Sequence, residues 1–376
     1  MERRVDEWEW LEFQWPYLLQ WLGGVNEIRR LAGETGAFER ARKIEKPEDL
    51  LQLLLMWTAG ERSLKEVSTI AAAADLADVS DTALIKRFRK CAGWLEAMIG
   101  GVLLERSAGL GASLRVRVID ASALNRAGRT GIDHRLHLGI DLARHRIDSV
   151  ELTDTRAGET LERFEFRAGE VALADRGYGS RAGLAKVDGS GAFFVVRFAW
   201  SNLPLENGDS TPFDLFAALR SLPEARAGEF KVRFRAPEGE AVDARLVAIR
   251  KSEPAAEAAR QEAIRERSKH GKVDARTLEA AGYFFVLTNL PEISPANLLQ
   301  LYKLRWQIEM KFKTLKSVLH VGTIPAKTDQ MFRVYVLAKI LIALLIDDLI
   351  EKADSFSPWG YPISADQHLA FDAAPS

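Results

Sequence analysis

Residues 113–154 read SLRVRVIDASALNRAGRTGIDHRLHLGIDLARHRIDSVELTD, and within them the chain changes its hydrophobic period. Upstream, apolar side chains recur three and four positions apart, as in LLQLLLMW at 50–57, which is helical spacing. From Ser113 they alternate, as a strand requires, because successive side chains point to opposite faces. The stretch therefore predicts three consecutive strands with short turns, the first running from Leu114 to Ile119 and meeting Asp120 at its end.

Working outward, AGETLERFEF (157–166) reads as helical, EVALAD (170–175) as a short buried strand, DRGYGS (175–180) as a glycine turn, and GAFFVVRFA (191–199) as another buried strand after a short helix. The order β-β-β-α-β-α-β predicts an α/β domain with a mixed sheet. From Trp200 to Gly282 the pattern is irregular, with strands in EFKVRFRA and ARLVAIR and a charged helix after Pro254, and this region reads as an insertion. The strand GYFFVLTNL then leads to a long helix starting near Pro295, an apolar helix and a loop-like tail. The expected division is 1–112 helical, 113–199 the first part of the α/β core, 200–282 a β-rich insertion, 283–354 the last strand and helices of the core, and 355–376 a tail.

The chain has 376 residues, an apolar fraction of 47%, a net charge of -1 and one cysteine, Cys91. That is ordinary globular composition, with no internal disulfide and no announcement of a nucleic-acid partner in the total charge. The start MERRVDEWEW is acidic and tryptophan-rich, unlike a secretory signal, and the apolar run Val334–Ile346 is broken by Lys339 and falls short of the roughly 20 residues that cross a bilayer. No membrane partner and a reducing cytoplasm are expected.

Charge is concentrated locally. The segment 63–95 carries a capping box at Ser63-x-x-Glu66 and an N-cap at Ser80, so it reads as two short helices joined by a turn. The second ends in Lys86, Arg87, Arg89 and Lys90. Such a pair is either a helix-turn-helix reader of DNA or a helical pair with a solvated basic end. Arg126, Arg129, Arg135, Arg144 and Arg146 follow the first strand, and Lys303, Lys311 and Lys313 lie on the long helix. They form a path for DNA or an ordinary charged surface.

Asp120 and Asp175 both follow apolar strands, at the carboxyl ends where open α/β sheets place ligands. Either alone could simply open a turn by bonding its own backbone. On a helical wheel with Tyr302 at zero, Arg305, Glu309 and Lys316 fall at roughly 300°, 340° and 320°. Beside that polar face, Leu301, Leu304, Ile308, Phe312 and Leu315 form an apolar stripe between roughly 200° and 280°. A solvated face would lie opposite the stripe, so the four polar residues read as lining a cleft. An ion pair of Glu309 with Arg305 or Lys313 at helical spacing is the alternative.

Tyr302-x-x-Arg305-x-x-x-Glu309-x-x-x-x-x-x-Lys316 resembles the Y-R-E-K signature of the insertion-sequence-four family of bacterial DDE transposases. VIDAS around Asp120 and LADRGY around Asp175 are similarly placed to that family's catalytic aspartates, and the likeness runs from about residue 63 to 320. It implies an RNase H-like core with a β-rich insertion before the last catalytic helix, preceded by a helical DNA-binding domain. It implies catalytic and metal-binding roles for Asp120, Asp175 and Glu309, phosphate contacts from Arg305 and Lys316 with Tyr302 nearby, and cut-and-paste transposition through a hairpin end.

The implied cofactor is a pair of Mg2+ ions, with Mn2+ as a substitute, since hard cations take carboxylate oxygens; the histidines and cysteine show no zinc spacing. The implied partners are double-stranded DNA, as terminal inverted repeats and as target, and a second copy of the chain on paired ends, in the bacterial cytoplasm at the nucleoid. A transposase-derived DNA-binding protein without catalysis, or a metal-dependent nuclease without strand transfer, are the other readings.

Overall fold

The computed structural model describes residues 15–60, 62–108, 115–126, 133–198, 200–223, 226–267, 273–291, 293–317, 324–326 and 328–354. The chain divides into two compact units, one of Met1–Leu110, Leu124–Asp133 and Thr314–Ser376, the other of Gly111–Ala123 and His134–Lys313. The tail from 355 and the acidic N-terminal start lie outside the described residues.

The first unit is helical: α1 (residues 15–21), α2 (Val25–Glu34), α3 (Pro47–Ala59), α4 (Leu64–Ala73), α5 (Asp81–Phe88), α6 (Ala92–Ala108) and, from the far end of the chain, α13 (Asp329–Asp354). Helix α3 is apolar nearly all round, and Leu50–Thr58 are all buried, as expected of a central core helix. Trp57 stacks on Phe88 at 5.5 Å and meets Tyr335 of α13 edge-on at 5.0 Å, while the Trp94 indole donates to the Ile28 carbonyl at 3.1 Å. The two helix starts read in the sequence are present: Ser63 and Glu66 form a reciprocal capping box, and the Ser80 hydroxyl accepts from the Ala83 amide. Among the described residues no helix is long and apolar enough to cross a membrane.

The second unit is built on one eight-stranded sheet in the order β3-β2-β1-β4-β5-β8-β7-β6, with β1 (Val116–Leu124), β2 (His134–Asp141), β3 (Arg146–Asp154), β4 (Val171–Ala174), β5 (Phe193–Arg197), β6 (Gly228–Arg235), β7 (Ala241–Arg250) and β8 (Tyr283–Thr288). β4 is parallel to both β1 and β5, and β5–β8, β8–β7 and β7–β6 are antiparallel. The mixed α/β fold expected from the sequence is the fold observed. β4 reads Val-Ala-Leu-Ala with every residue buried, the continuous apolar run of a strand covered on both faces. The strands of the 200–282 region do not make a separate sheet, because β7 pairs with β8 and carries β6 outward on the same ladder. Helix α7 (Arg181–Gly189) lies between β4 and β5, the short α8 (Leu215–Arg220) between β5 and β6, and α9 (Glu253–Arg267) and α10 (Ala275–Ala281) between β7 and β8.

Two element expectations are corrected. AGETLERFEF forms only a single 3-10 turn, Leu161–Arg163, capped by Thr160, since its apolar side chains Leu161, Phe164 and Phe166 are used by packing against the core rather than along a helical stripe. The long helix after Pro295 is two, α11 (Pro295–Lys303) and α12 (Trp306–Ser317). Around Leu304 and Arg305 the amides of residues 304, 305, 307 and 308 each bond three residues back, which tightens the turn from about 100° to about 120° per residue. Leu304 thereby leaves the apolar stripe and is 37% exposed, while Ile308, Phe312 and Leu315 stay buried.

Candidate active site

β1 runs past Asp120 to Leu124, so Asp120 lies within the strand rather than at its end. Its position relative to Asp175 is nevertheless set by pairing: Ile119 is in register with Ala174 on the parallel β4. The next residue in each segment is Asp120, still in β1, and Asp175, which caps the 3-10 turn Arg176–Tyr178, so the two follow paired positions on strands roughly 5 Å apart. The Asp120 carboxylate accepts from the Ala121 amide at 2.8 Å. Burial, with the negative charges of Asp175 and Glu159 adding to it against the Ala121 amide and Arg305, pushes its pKa up to about 6.

From the other end of the chain, α11 delivers Tyr302, buried at 7% exposure, whose hydroxyl donates to Asp175 Oδ1 at 3.3 Å. Burial and the nearby Asp175 charge hold the Tyr302 phenol well above its ordinary pKa, so it remains a donor. The tight turn after α11 carries Arg305, whose Nη1 lies 3.5 Å from Asp120 Oδ2 and whose Nη2 donates to Glu309 Oε1 at 2.5 Å. The ion pair weighed for Glu309 in the sequence is therefore present, and the same guanidinium also reaches Asp120. The side chains thus form two neighbouring hydrogen-bonded sets, Tyr302 with Asp175 and Arg305 with both Asp120 and Glu309.

The three acids are an oxygen-only donor set of the kind hard divalent cations take. Among the described residues, no three His, Cys, Asp or Glu side chains are gathered closely enough to hold a metal ion together; Glu309 faces Arg305 rather than the aspartate pair. The remaining sequence candidates are dispersed. Lys313 and Lys316 are exposed on α12, and Lys316 belongs to the first unit. Arg126, also in the first unit, is paired with Asp133 at 3.2 Å. Arg129 lies outside the described residues. In the helix pair, Lys86 and Arg89 are exposed, Lys90 pairs with Glu39 at 3.1 Å, and Arg87 donates to the Arg40 carbonyl at 2.7 Å while lying over the Phe38 ring.

Sequence reasoning missed a second cluster of cations. Arg176, Arg197 and Lys251 line a cavity of about 740 Å³ together with Trp200, Glu262 and Asp274. None of the three cations forms an ion pair among the described residues. Arg197 lies over the Phe284 ring at 5.7 Å, and Phe284 packs on Tyr302 at 5.4 Å, so one wall of the cavity adjoins the residue that holds Asp175. Trp200 meets Phe216 edge-on at 5.3 Å, which is packing as well as lining. The signal available in the sequence was weak, since Arg197 ends one strand and Lys251 follows another, and both look like any basic residue at a strand end.

A family model described as transposase DDE domain matches residues 113–346. The chain is 35% identical over 354 residues, 92% of its own length and 96% of the relative's, to the InsL protein for insertion sequence element IS186A of Escherichia coli strain K12. It is 35% identical over 355 residues, with the same coverage, to the transposase for insertion sequence element IS421 of Escherichia coli. The sheet, the two aspartates that follow paired strand positions and the helix that carries Glu309 all lie within the matched span, and the chain belongs to the transposase DDE domain family.

Proposed function

We propose that this chain is a cut-and-paste transposase of the insertion-sequence-four group, which binds the terminal inverted repeats of its element as a dimer on paired ends, cleaves them with divalent metal through a hairpin end, and joins them to a target. The observation that carries this reading is the pair of adjoining contacts in which Tyr302 holds Asp175, and Arg305 reaches both Asp120 and Glu309, on the Y-R-E-K spacing.

Asp120, Asp175 and Glu309 are the residues that would hold two Mg2+ or Mn2+ ions. When bound, such ions activate a water at neutral pH and neutralise charge on the leaving oxygen. The protein's own part is orientation. Tyr302 fixes the Asp175 carboxylate by donating to one oxygen, which leaves the other for a cation. Arg305 balances the carboxylates of Asp120 and Glu309, and its planar fork equally suits phosphate oxygens of bound DNA. Lys316, as a point charge on the same helix as Glu309, serves the phosphate backbone, as do Lys313, Arg126 and Arg129. The cation-lined cavity supplies further phosphate contacts. The helix pair ending in Lys86, Arg87, Arg89 and Lys90 reads the end sequence, with the protein at the nucleoid in the cytoplasm.

The test is purified protein with the element's end DNA and Mg2+, comparing wild type with D120N, D175N and E309Q. Each variant is expected to lose cleavage by about a thousandfold or more, while affinity for the ends, dominated by phosphate contacts, changes by no more than about threefold. Parallel loss of binding and cleavage would contradict the assignment. Cutting without joining would mark a nuclease, and binding without cutting a DNA-binding protein descended from a transposase.

A further inference from the structure

One acid near this centre has no part in the three-carboxylate scheme. Glu159 precedes the 3-10 turn Leu161–Arg163, and its Oε2 rests against the backbone of Gly177, so closely that a Cβ there would lie 2.2 Å from it. Gly177 is the second residue after Asp175, in the turn that sets that aspartate's direction. The other oxygen of Glu159 faces Arg135 Nε at 3.7 Å, and Arg135 also donates to the Ala157 carbonyl at 3.3 Å.

Neighbouring contacts dock the same segment on the same loop. The Thr160 and Ser180 hydroxyls are 3.4 Å apart, and Gly183 packs so tightly on Leu161 that a Cβ there would meet the Leu161 amide nitrogen at 3.1 Å. Tyr178, between Gly177 and Ser180, is fully buried with its hydroxyl 3.3 Å from His137 Nδ1 on β2. The turn bearing Asp175 is thus gripped from β2 on one side and from residues 159–161 on the other.

We propose that Glu159 is a positioning residue of the DDE centre: its carboxylate, seated on Gly177 and anchored by Arg135, fixes the turn that aims Asp175 at Asp120 and adds negative charge beside that pair. The backbone at 177 is not in the left-handed region, and what a Cβ there would meet is the Glu159 carboxylate itself, which would have to leave its seat. A removed carboxylate therefore loosens both the aim of Asp175 and the attraction of the pair for a cation.

This rests on the transposase reading, and two measurements separate the two ideas: cleavage of end DNA at saturating Mn2+, and the Mn2+ concentration that gives half of the metal-induced rise in Tm of the free protein. In E159Q, cleavage falls by about tenfold or more and the Mn2+ midpoint rises by about tenfold or more, the range found for groups that orient metal ligands. G177A, which displaces Glu159 from its seat, reproduces both effects. The double variant E159Q/G177A is no worse than G177A within about twofold, because both changes break one contact. E159Q with wild-type rate and midpoint overturns the proposal, as do losses that multiply in the double variant. If wild type binds Mn2+ but cuts no DNA, the transposase reading fails, while the midpoints still decide the role of Glu159.

Discussion

The Asp120 carboxylate is held in surroundings that disfavour its charge, with burial as the main cause and Asp175 and Glu159 adding to it. Its pKa of about 6 in the folded protein, against an ordinary 3.8, means that the folded state keeps a proton through a window in which the unfolded chain has released it. Stability therefore falls as pH rises from about 4 to about 6, and the cost is fully present above that. Replacing the acid with a neutral isostere removes the cost. D120N is expected to raise unfolding stability at pH 8 by about 1–3 kcal/mol, with the gain fading towards pH 4, even as it abolishes cleavage. Urea unfolding of both proteins at the two pH values measures it, and a D120N variant less stable than wild type at pH 8 would contradict the electrostatics. The aspartates were legible because each follows an apolar strand run. Glu159 was hidden inside AGETLERFEF, where a helical reading gave it no special place.

At the scale of elements, alternation located the strands but not what covers their polar side. Arg115 and Arg117 alternate with Val116 and Val118, yet Arg117 is only 5% exposed. It binds Asp148 at 2.9 Å and donates to the Glu165 carbonyl at 2.6 Å. Arg115 pairs with Asp141, Asp148 and Glu170. Breaking one member of such a buried network leaves charge uncompensated, which costs about 3–5 kcal/mol. R117M should lower unfolding stability by that order, read from the midpoint shift in urea at unchanged slope; a shift under about 1 kcal/mol would mean that the network is solvated. The break between α11 and α12 was not legible, because nothing in YKLRWQ is a helix breaker; tertiary packing that buries Tyr302 and Ile308 on either side of it accounts for the tightened turn.

Across the whole molecule, the order of strands and helices was readable because each period switch is local, whereas the joining of β6 and β7 to the core sheet was not, because pairing over long sequence distances leaves no periodic trace. The same holds for the second cation cluster, whose members come from β5, the turn after β4 and the end of β7. What the fold achieves at this scale is to bring β1, the turn after β4, and the α11–α12 pair together, with Tyr302 on Asp175 and Arg305 between Asp120 and Glu309. Anomalous diffraction from crystals soaked in Mn2+ tests that assembly most directly. The account predicts manganese density bound by Asp120 and Asp175, with Glu309 turned from Arg305 towards the metal; saturating Mn2+ that leaves the aspartate pair without density and Glu309 still on Arg305 would contradict it.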